Sequence, residues 1–232
     1  MPLNVRRFNA SVLLVLLSFV TFIGAQTAPT ASSAATPASV QPAQPSAAEV
    51  MRERISRSKA YIAVRNYNAA IIELEKLRRD TSDDAVQGVV NVLLMNSYLE
   101  QGDYKRAQDM LNEFYAVQKT TKPNAAAAYM TIAGQVVKGA RSRAERYKAL
   151  GLNVGDRTLP LEAINDLEKM RETLELVITQ SREMGTETAK AANAMVMLEE
   201  ASGSRSMLAR DDYDSRRWRD ELADTREKMA MS

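Results

Sequence analysis

The chain has 232 residues, of which 45% are hydrophobic and only 6% aromatic, and this length allows one or two domains. It contains no cysteine and no histidine. These absences exclude a disulfide framework, a thiolate metal site and the side chain that most often acts as a general base. We therefore expect no catalytic residues, no bound metal and no cofactor.

The first 25 residues have the pattern of an export signal. Arg6 and Arg7 precede an uncharged apolar run at 11–23, and Gly24 and Ala25 then offer small side chains to a signal peptidase. The run is shorter than the roughly 20 residues that a membrane span needs. We expect a cleaved signal peptide and a periplasmic or secreted protein of the bacterial envelope. The alternative is an uncleaved N-terminal membrane anchor.

The segment at 26–47 is predicted to be a disordered linker. It carries no charge and holds four of the seven prolines, so it cannot bury enough apolar surface to order itself. From residue 26 onward the chain has 29 basic and 29 acidic residues. This balance gives no electrostatic reason to bind nucleic acid or anionic lipid. We expect no nucleic-acid partner, and contact with a membrane only if the signal is uncleaved.

Beyond the linker, the composition predicts an all-α protein. Ala, Leu, Glu, Lys, Arg and Met, which are strong helix formers, dominate, and no alternating β-branched run is present. Pro123 and Pro160 each precede a long helix-forming stretch, where proline is tolerated in the first turn. The predicted helices lie near 48–64, 67–79, 84–101, 104–119, from Pro123 to 139, from there to 150, and then 161–184, 187–208 and 211–229.

A tyrosine corner recurs with a step of 37 residues. Tyr67 falls on Tyr104, Ala70 on Ala107 and Leu74 on Leu111 when the two stretches are superimposed. In such a corner the tyrosine packs between two helices, the alanine allows close approach and the leucine fills the seam. A further step of 37 predicts a third corner at Gly139, and Asp212-Tyr213 resembles a fourth.

At these residues the chain resembles the tetratricopeptide repeat family, whose corner is Gly-Asp-Tyr followed three residues later by Ala. Gly102, Asp103, Tyr104 and Ala107 match that corner, although the period is 37 here and 34 in the family. The resemblance implies antiparallel helical hairpins stacked in a solenoid over 48–150. It leaves 151–232 as a C-terminal helical extension packed on the repeats.

The resemblance also implies a protein-binding groove, because the first helices of the family's hairpins line a concave surface that grips peptides. The function implied is an exported scaffold for protein–protein interactions, with a protein or peptide partner. The alternative for the same residues is that the C-terminal helices fill the groove and make them core. The lining positions carried over are Arg52, Lys59 and Ile62, then Val92, Asn96, Leu99 and Glu100, then Tyr129, Ala133 and Val136.

The 161–184 helix has an apolar seam with alternating steps of four and three, the spacing of a short coiled coil. We expect this seam to pack on the protein's own helices. The alternative is a structural homo-oligomer, such as a dimer, assembled through this helix. The seam residues are Ala163, Leu167, Met170, Leu174, Val177, Ser181 and Met184.

The remaining polar clusters favour structural roles over chemistry. Asp83-Asp84 and Asp211-Asp212 are sequence neighbours, which point about 100° apart on a helix and instead suit helix N-termini. Trp218 is expected to seal the last hairpin. An enzyme or accessory factor acting on envelope polymers would need acids that converge from different helices.

Overall fold

The structure, a computed structural model, describes residues 46–120 and 124–230, and within them it contains eight α-helices and no β-strand. The all-α prediction is therefore confirmed. The predicted signal segment, nearly all of the predicted linker and Pro123 lie outside the described residues. The helices are α1 (Ala47–Ala63), α2 (Tyr67–Asp80), α3 (Asp84–Gln101), α4 (Tyr104–Gln118), α5 (Ala125–Ala149), α6 (Leu161–Gly185), α7 (Ala191–Met207) and α8 (Asp212–Ala230).

The first two corners have the same backbone geometry. Arg65 and Gly102 both adopt positive φ, at 59° and 78°, and each lies directly before the residue that caps a second helix. Asn66 and Asp103 follow with nearly identical angles, φ −85° and −84° and ψ 67° and 66°, and each side chain accepts a hydrogen bond from the backbone N–H three residues on. The step of 37 is therefore confirmed for the first two hairpins.

The third corner predicted at Gly139 is wrong, because α5 runs without a break through that residue. Gly139 is followed by Ala140, which cannot cap a new helix as Asn66 and Asp103 do. Gly139 instead faces α3, where an added Cβ would lie 3.1 Å from Leu99 Cδ1. The third hairpin is α5 and α6, joined by 150–160, with Pro160 as the N-cap of α6.

The predicted fourth corner exists between α7 and α8. Trp218 is buried there, and its Nε1 donates a hydrogen bond of 3.1 Å to Asp214 Oδ1. The Asp211 carboxylate accepts from the backbone N–H of Asp214 at the start of α8. Tyr213 is exposed, so this corner lacks the packed tyrosine of the second one. Trp218 is the side chain that fills the hairpin instead.

The four hairpins stack, with their first helices side by side and their second helices behind them. In this first row α3 contacts both α1 and α5, and α7 packs on the other side of α5. Gly134 lies beside Met197, and Arg141 Nε donates to Ser204 Oγ at 3.0 Å. Both pairs are 63 residues apart, so α5 and α7 run parallel. The α7 helix therefore extends the row of first helices.

The apolar seam of α6 lies inside the protein. Leu167, Met170, Leu174, Val177 and Met184 are all buried, and α6 packs against α4, α5 and α7. This burial supports the expectation that the seam packs on the protein's own helices. The same side chains are not exposed to a second copy of the chain.

Candidate functional site

One face of the first helices is not covered by any other helix within residues 46–120 and 124–230. Each of these helices contacts a neighbouring first helix at its side and a second helix behind it, so its free side is opposite the second helices. On α5 the exposed residues Thr131, Lys138 and Glu145 recur every seven positions, which places them on one side of the helix. We call this surface the first-helix face.

The helices α3 and α7 flank α5 and contribute the remaining members of the face. On α3 these are Val89, which is exposed, and Val92 and Asn96, which are half-buried. On α7 they are Val196 and Met207, both exposed. The first-helix face is therefore apolar at Val89, Val92 and Val196, near the N-terminal ends of its helices.

The predicted groove residues fall into three groups. Arg52 and Lys59 are exposed on α1, while Ile62, Val92, Asn96 and Glu100 are half-buried. The other four are Leu99, Tyr129, Ala133 and Val136, and they are buried in the core. The Tyr129 hydroxyl donates to Gln180 Oε1 of α6 at 3.0 Å, so its polar end is also satisfied inside the protein.

The groove residues predicted on α5 were assigned by adding 37 to the positions on α3. That step assumes a corner at Gly139, where α5 in fact continues without a break. The α5 residues that lie exposed on the first-helix face are Thr131, Lys138 and Glu145, and none of the three was among the predicted groove residues. Their seven-residue spacing becomes visible once α5 is taken as one helix of 25 residues. The absence of a capping residue after Gly139 was the sequence signal for that longer helix.

A cleft of about 610 Å³ lies at the C-terminal end of the first-helix face. It is formed by α5, the last residue of α7 and the start of the third corner loop. Leu152, Val154 and Met207 supply apolar walls, and Glu145 and Lys148 are its charged groups. A cleft of this composition can accept an apolar side chain and can hydrogen-bond the polar groups beside it.

The charges on the face balance one another. The Arg146 guanidinium binds both carboxylate oxygens of Glu100 at 3.2 Å, and Arg141 lies 3.9 Å from the Glu200 carboxylate. Lys138 makes no ion pair with any described residue. The face therefore offers hydrogen-bonding groups of both signs and no single-signed field that would select a strongly charged polymer.

A buried polar cluster holds the C-terminal end of α3 beside α5 and α6. Arg143 Nη2 donates to the Leu99 carbonyl at 3.1 Å, and its Nη1 donates to Asp166 and to the Tyr104 hydroxyl. The Tyr104 hydroxyl donates to Asp166 Oδ1 at 2.8 Å. Burial raises the pKa of Tyr104 well above its ordinary value, against the opposing charge of Arg143, so the hydroxyl stays protonated. This cluster fixes the helix ends that border the face.

Within residues 46–120 and 124–230, no group of three or more carboxylates could hold a metal ion. None of the helices described there is long and apolar enough to cross a membrane. Comparison with protein-family models finds no matching family, and comparison with curated proteins finds no matching relative. The geometry of the face is therefore the basis for assigning a function.

Proposed function

We propose that this protein is an exported, tetratricopeptide-like scaffold that binds a protein partner through the first-helix face. The observation that carries the proposal is that α7 extends the row of first helices, so that none of the eight described helices covers this face. A helical stack of this kind provides spacing and contact surface, and the proposed activity is binding without turnover.

The composition of the face supports a peptide or helix as the bound segment. Val89 and Val92 on α3 and Val196 on α7 place apolar side chains near the N-terminal end of the face, on either side of α5, and the cleft with Met207 and Leu152 adds a second apolar region. Val196 and Met207 are 11 residues apart on one helix, which corresponds to about 16 Å of rise. A segment with two apolar anchors at that spacing would fit both ends, with the polar groups between them setting its register.

Site-specific crosslinking in the cell envelope tests the proposal. A photoreactive residue is placed at Val89, Lys138 or Val196, and the matched controls carry it at Ile72 or Lys76, which are exposed on α2. We expect one discrete crosslinked partner from the face positions and none from the controls. Equal crosslinking from both sets, or none from either, would contradict the proposal.

Export is a separate part of the proposal, and its support is the signal pattern before residue 26. N-terminal sequencing of the protein recovered from the envelope fraction tests it directly. We expect a mature chain that begins near Gln26. A chain recovered from the cytosol that begins at Met1 would contradict export without affecting the argument about the face.

A further inference from the structure

Two glycines inside the described helices are not required by packing or by backbone geometry. Gly88 in α3 and Gly203 in α7 are exposed, and a Cβ built on either residue would have no neighbouring atom within 4 Å. Neither residue adopts positive φ. Gly139, by contrast, is needed where it lies, because a Cβ there would be 3.1 Å from Leu99. Within residues 46–120 and 124–230, the fold therefore gives no reason for glycine at 88 and 203.

A glycine in the interior of an exposed helix carries a cost in stability. The unfolded chain loses more conformational freedom at glycine than at alanine, so alanine would make α3 and α7 more stable. In return, a glycine leaves space for another main chain to approach the backbone of the helix. Since no residue of the described chain uses that space at Gly88 or Gly203, we infer that a bound partner uses it.

Both glycines lie on the first-helix face, one in each of its apolar regions. Gly88 precedes Val92 by four residues and Gly203 precedes Met207 by four, so each glycine is on the same side of its helix as that apolar residue. Met207 lines the cleft of about 610 Å³ at the C-terminal end of the face. The two places that can admit a main chain therefore coincide with the two regions that can hold apolar side chains.

The openings at the two glycines favour an extended segment over a helix. Gly88 is near the start of α3 and Gly203 near the end of α7, and α5 lies between these helices. An α-helix surrounds its own main chain with side chains, to a diameter of about 10 Å. An extended chain directs its side chains alternately to opposite sides and leaves its main chain accessible between them. Only the extended segment can bring its main chain against both glycines.

The separation of the two glycines sets the length of that segment. Gly203 is level with Ala140, because the residues of α5 and α7 that meet are 63 apart, and the adjacent Gly139 faces Leu99, which is 11 residues after Gly88. This corresponds to a rise of about 17 Å along the helices, and two steps between neighbouring helix axes add about 18 Å across the face. The glycines are therefore about 25 Å apart, a distance that about eight extended residues span.

We propose that the first-helix face binds an extended peptide whose main chain lies directly against Gly88 and Gly203. This inference rests on the proposed function and specifies the kind of segment that the face accepts. Beside the two contacts the peptide carries apolar side chains, which pack on Val92 at one end and enter the cleft with Met207 at the other. Lys138 lies on α5 between them, makes no ion pair with any described residue and can bind a polar side chain of the peptide.

Peptides selected on the purified protein, from a displayed library of random sequences of about twelve residues, provide the probes for the test. Those that crosslink to a photoreactive residue at Val196 bind the first-helix face. We expect the dissociation constants of these peptides to rise at least about tenfold in Gly88→Ala and in Gly203→Ala, because the new methyl group occupies the space of the main chain. The control is Ala116→Leu, which adds a larger group to an exposed position of α4 and should leave the affinity unchanged.

A second measurement replaces the amide hydrogens of a selected peptide by methyl groups, one residue at a time. This change enlarges the main chain and leaves every side chain as it is. We expect two sensitive positions about eight residues apart. A peptide that binds as a helix, with no such pair of positions, would overturn the inference.

The remaining outcomes separate this inference from the proposed function. Peptides that crosslink from Val196 but bind both alanine variants as tightly as the wild type would overturn the inference and leave the proposed function in place. A selection that gives no peptide crosslinking from Val196 would contradict the proposed function, and the inference with it. The melting temperatures of Gly88→Ala and Gly203→Ala should equal or exceed that of the wild type. Lower values would show that the fold itself needs these glycines, and this would also overturn the inference.

Discussion

Gly155 lies directly against the backbone of Arg210, so close that an added Cβ would be 2.2 Å from the Arg210 carbonyl oxygen. Gly155 belongs to the third corner loop, and Arg210 lies in the corner between α7 and α8. The two corners are therefore packed backbone to backbone. Arg171 adds to this contact, because its guanidinium donates to the carbonyls of both Val154 and Leu208.

We expect Gly155→Ala to destabilise the protein by about 1–3 kcal/mol, since the new methyl group forces one corner away from the other. The matched control is Gly203→Ala, which lies inside α7 with no atom within 4 Å of an added Cβ. Alanine there should be neutral or stabilise by up to about 1 kcal/mol. Thermal unfolding of both variants checks the difference. If the two substitutions changed the free energy of unfolding by the same amount, Gly155 would not be packed against Arg210.

The Arg205 side chain should be the most sensitive charged group of the last hairpin. It is fully buried, and its guanidinium binds Glu175 of α6 at 2.8 Å and Asp214 of α8 at 3.0 Å. Arg205→Met would leave Asp214 buried without this partner, at a cost of about 3–5 kcal/mol. The exposed pair of Arg226 and Glu199 provides the control, and Arg226→Met should cost less than about 0.5 kcal/mol. Urea unfolding measures both.

Lowering the pH should reduce the free energy of unfolding, because Asp214 in the hairpin of α7 and α8 becomes protonated. Burial alone would raise the pKa of Asp214, but the hydrogen bonds from the Arg210 N–H and the Arg205 guanidinium outweigh it, and the pKa is lowered. A lowered folded-state pKa stabilises the folded state at pH values above the unfolded value of about 3.9, and this contribution is lost as the pH falls through the folded value.

The test compares the free energy of unfolding of the wild type and Asp214→Asn between neutral pH and pH 3. We expect the wild type to be more stable by a constant amount above about pH 5, and the difference to shrink on acidification. A difference that does not change with pH would show that the ionised carboxylate is not the stabilising form.

Tyr67 and Tyr104 follow corners with the same backbone geometry but should differ in their contribution to stability. The Tyr104 hydroxyl is bonded to Asp166 and Arg143, whereas the half-buried Tyr67 makes no hydrogen bond through its hydroxyl to any described residue. Tyr104→Phe should cost about 1–3 kcal/mol, because it leaves buried polar groups unpaired. Tyr67→Phe should change stability by less than about 0.5 kcal/mol. Chemical denaturation of the two variants decides whether the polar cluster is confined to the second corner.

The sequence predicts the first four helices closely because local signals mark each end. Asn66 and Asp103 each precede a helix that their side chains cap, and Asp83 does the same for α3 through the N–H groups of Ala85 and Val86. Gly102 follows the end of α3 and adopts positive φ there. These signals act within a few residues and can be read without knowing the fold.

The corner predicted at Gly139 was wrong because a glycine often indicates a helix end, whereas a packed helix also tolerates a glycine in its interior. Its role depends on Leu99, 40 residues earlier in the chain, and no local pattern reveals that contact. The same limit applies to the polar cluster, where Tyr104 and Asp166 are 62 residues apart. The first-helix face depends on how α5, α6 and α7 stack. Its α5 residues can therefore be identified only when the third corner is known to lie at 150–160.

The position of the first-helix face on α5 is the central claim, and single-cysteine labelling measures it most directly. The chain has no native cysteine, so Thr131→Cys, Lys138→Cys and Glu145→Cys each give one reactive site, and Ala133→Cys and Val136→Cys give the buried comparison. We predict rapid reaction with a water-soluble maleimide at the first three positions and protection at the other two. Rapid labelling at Ala133 and Val136 with protection at Lys138 would contradict the account.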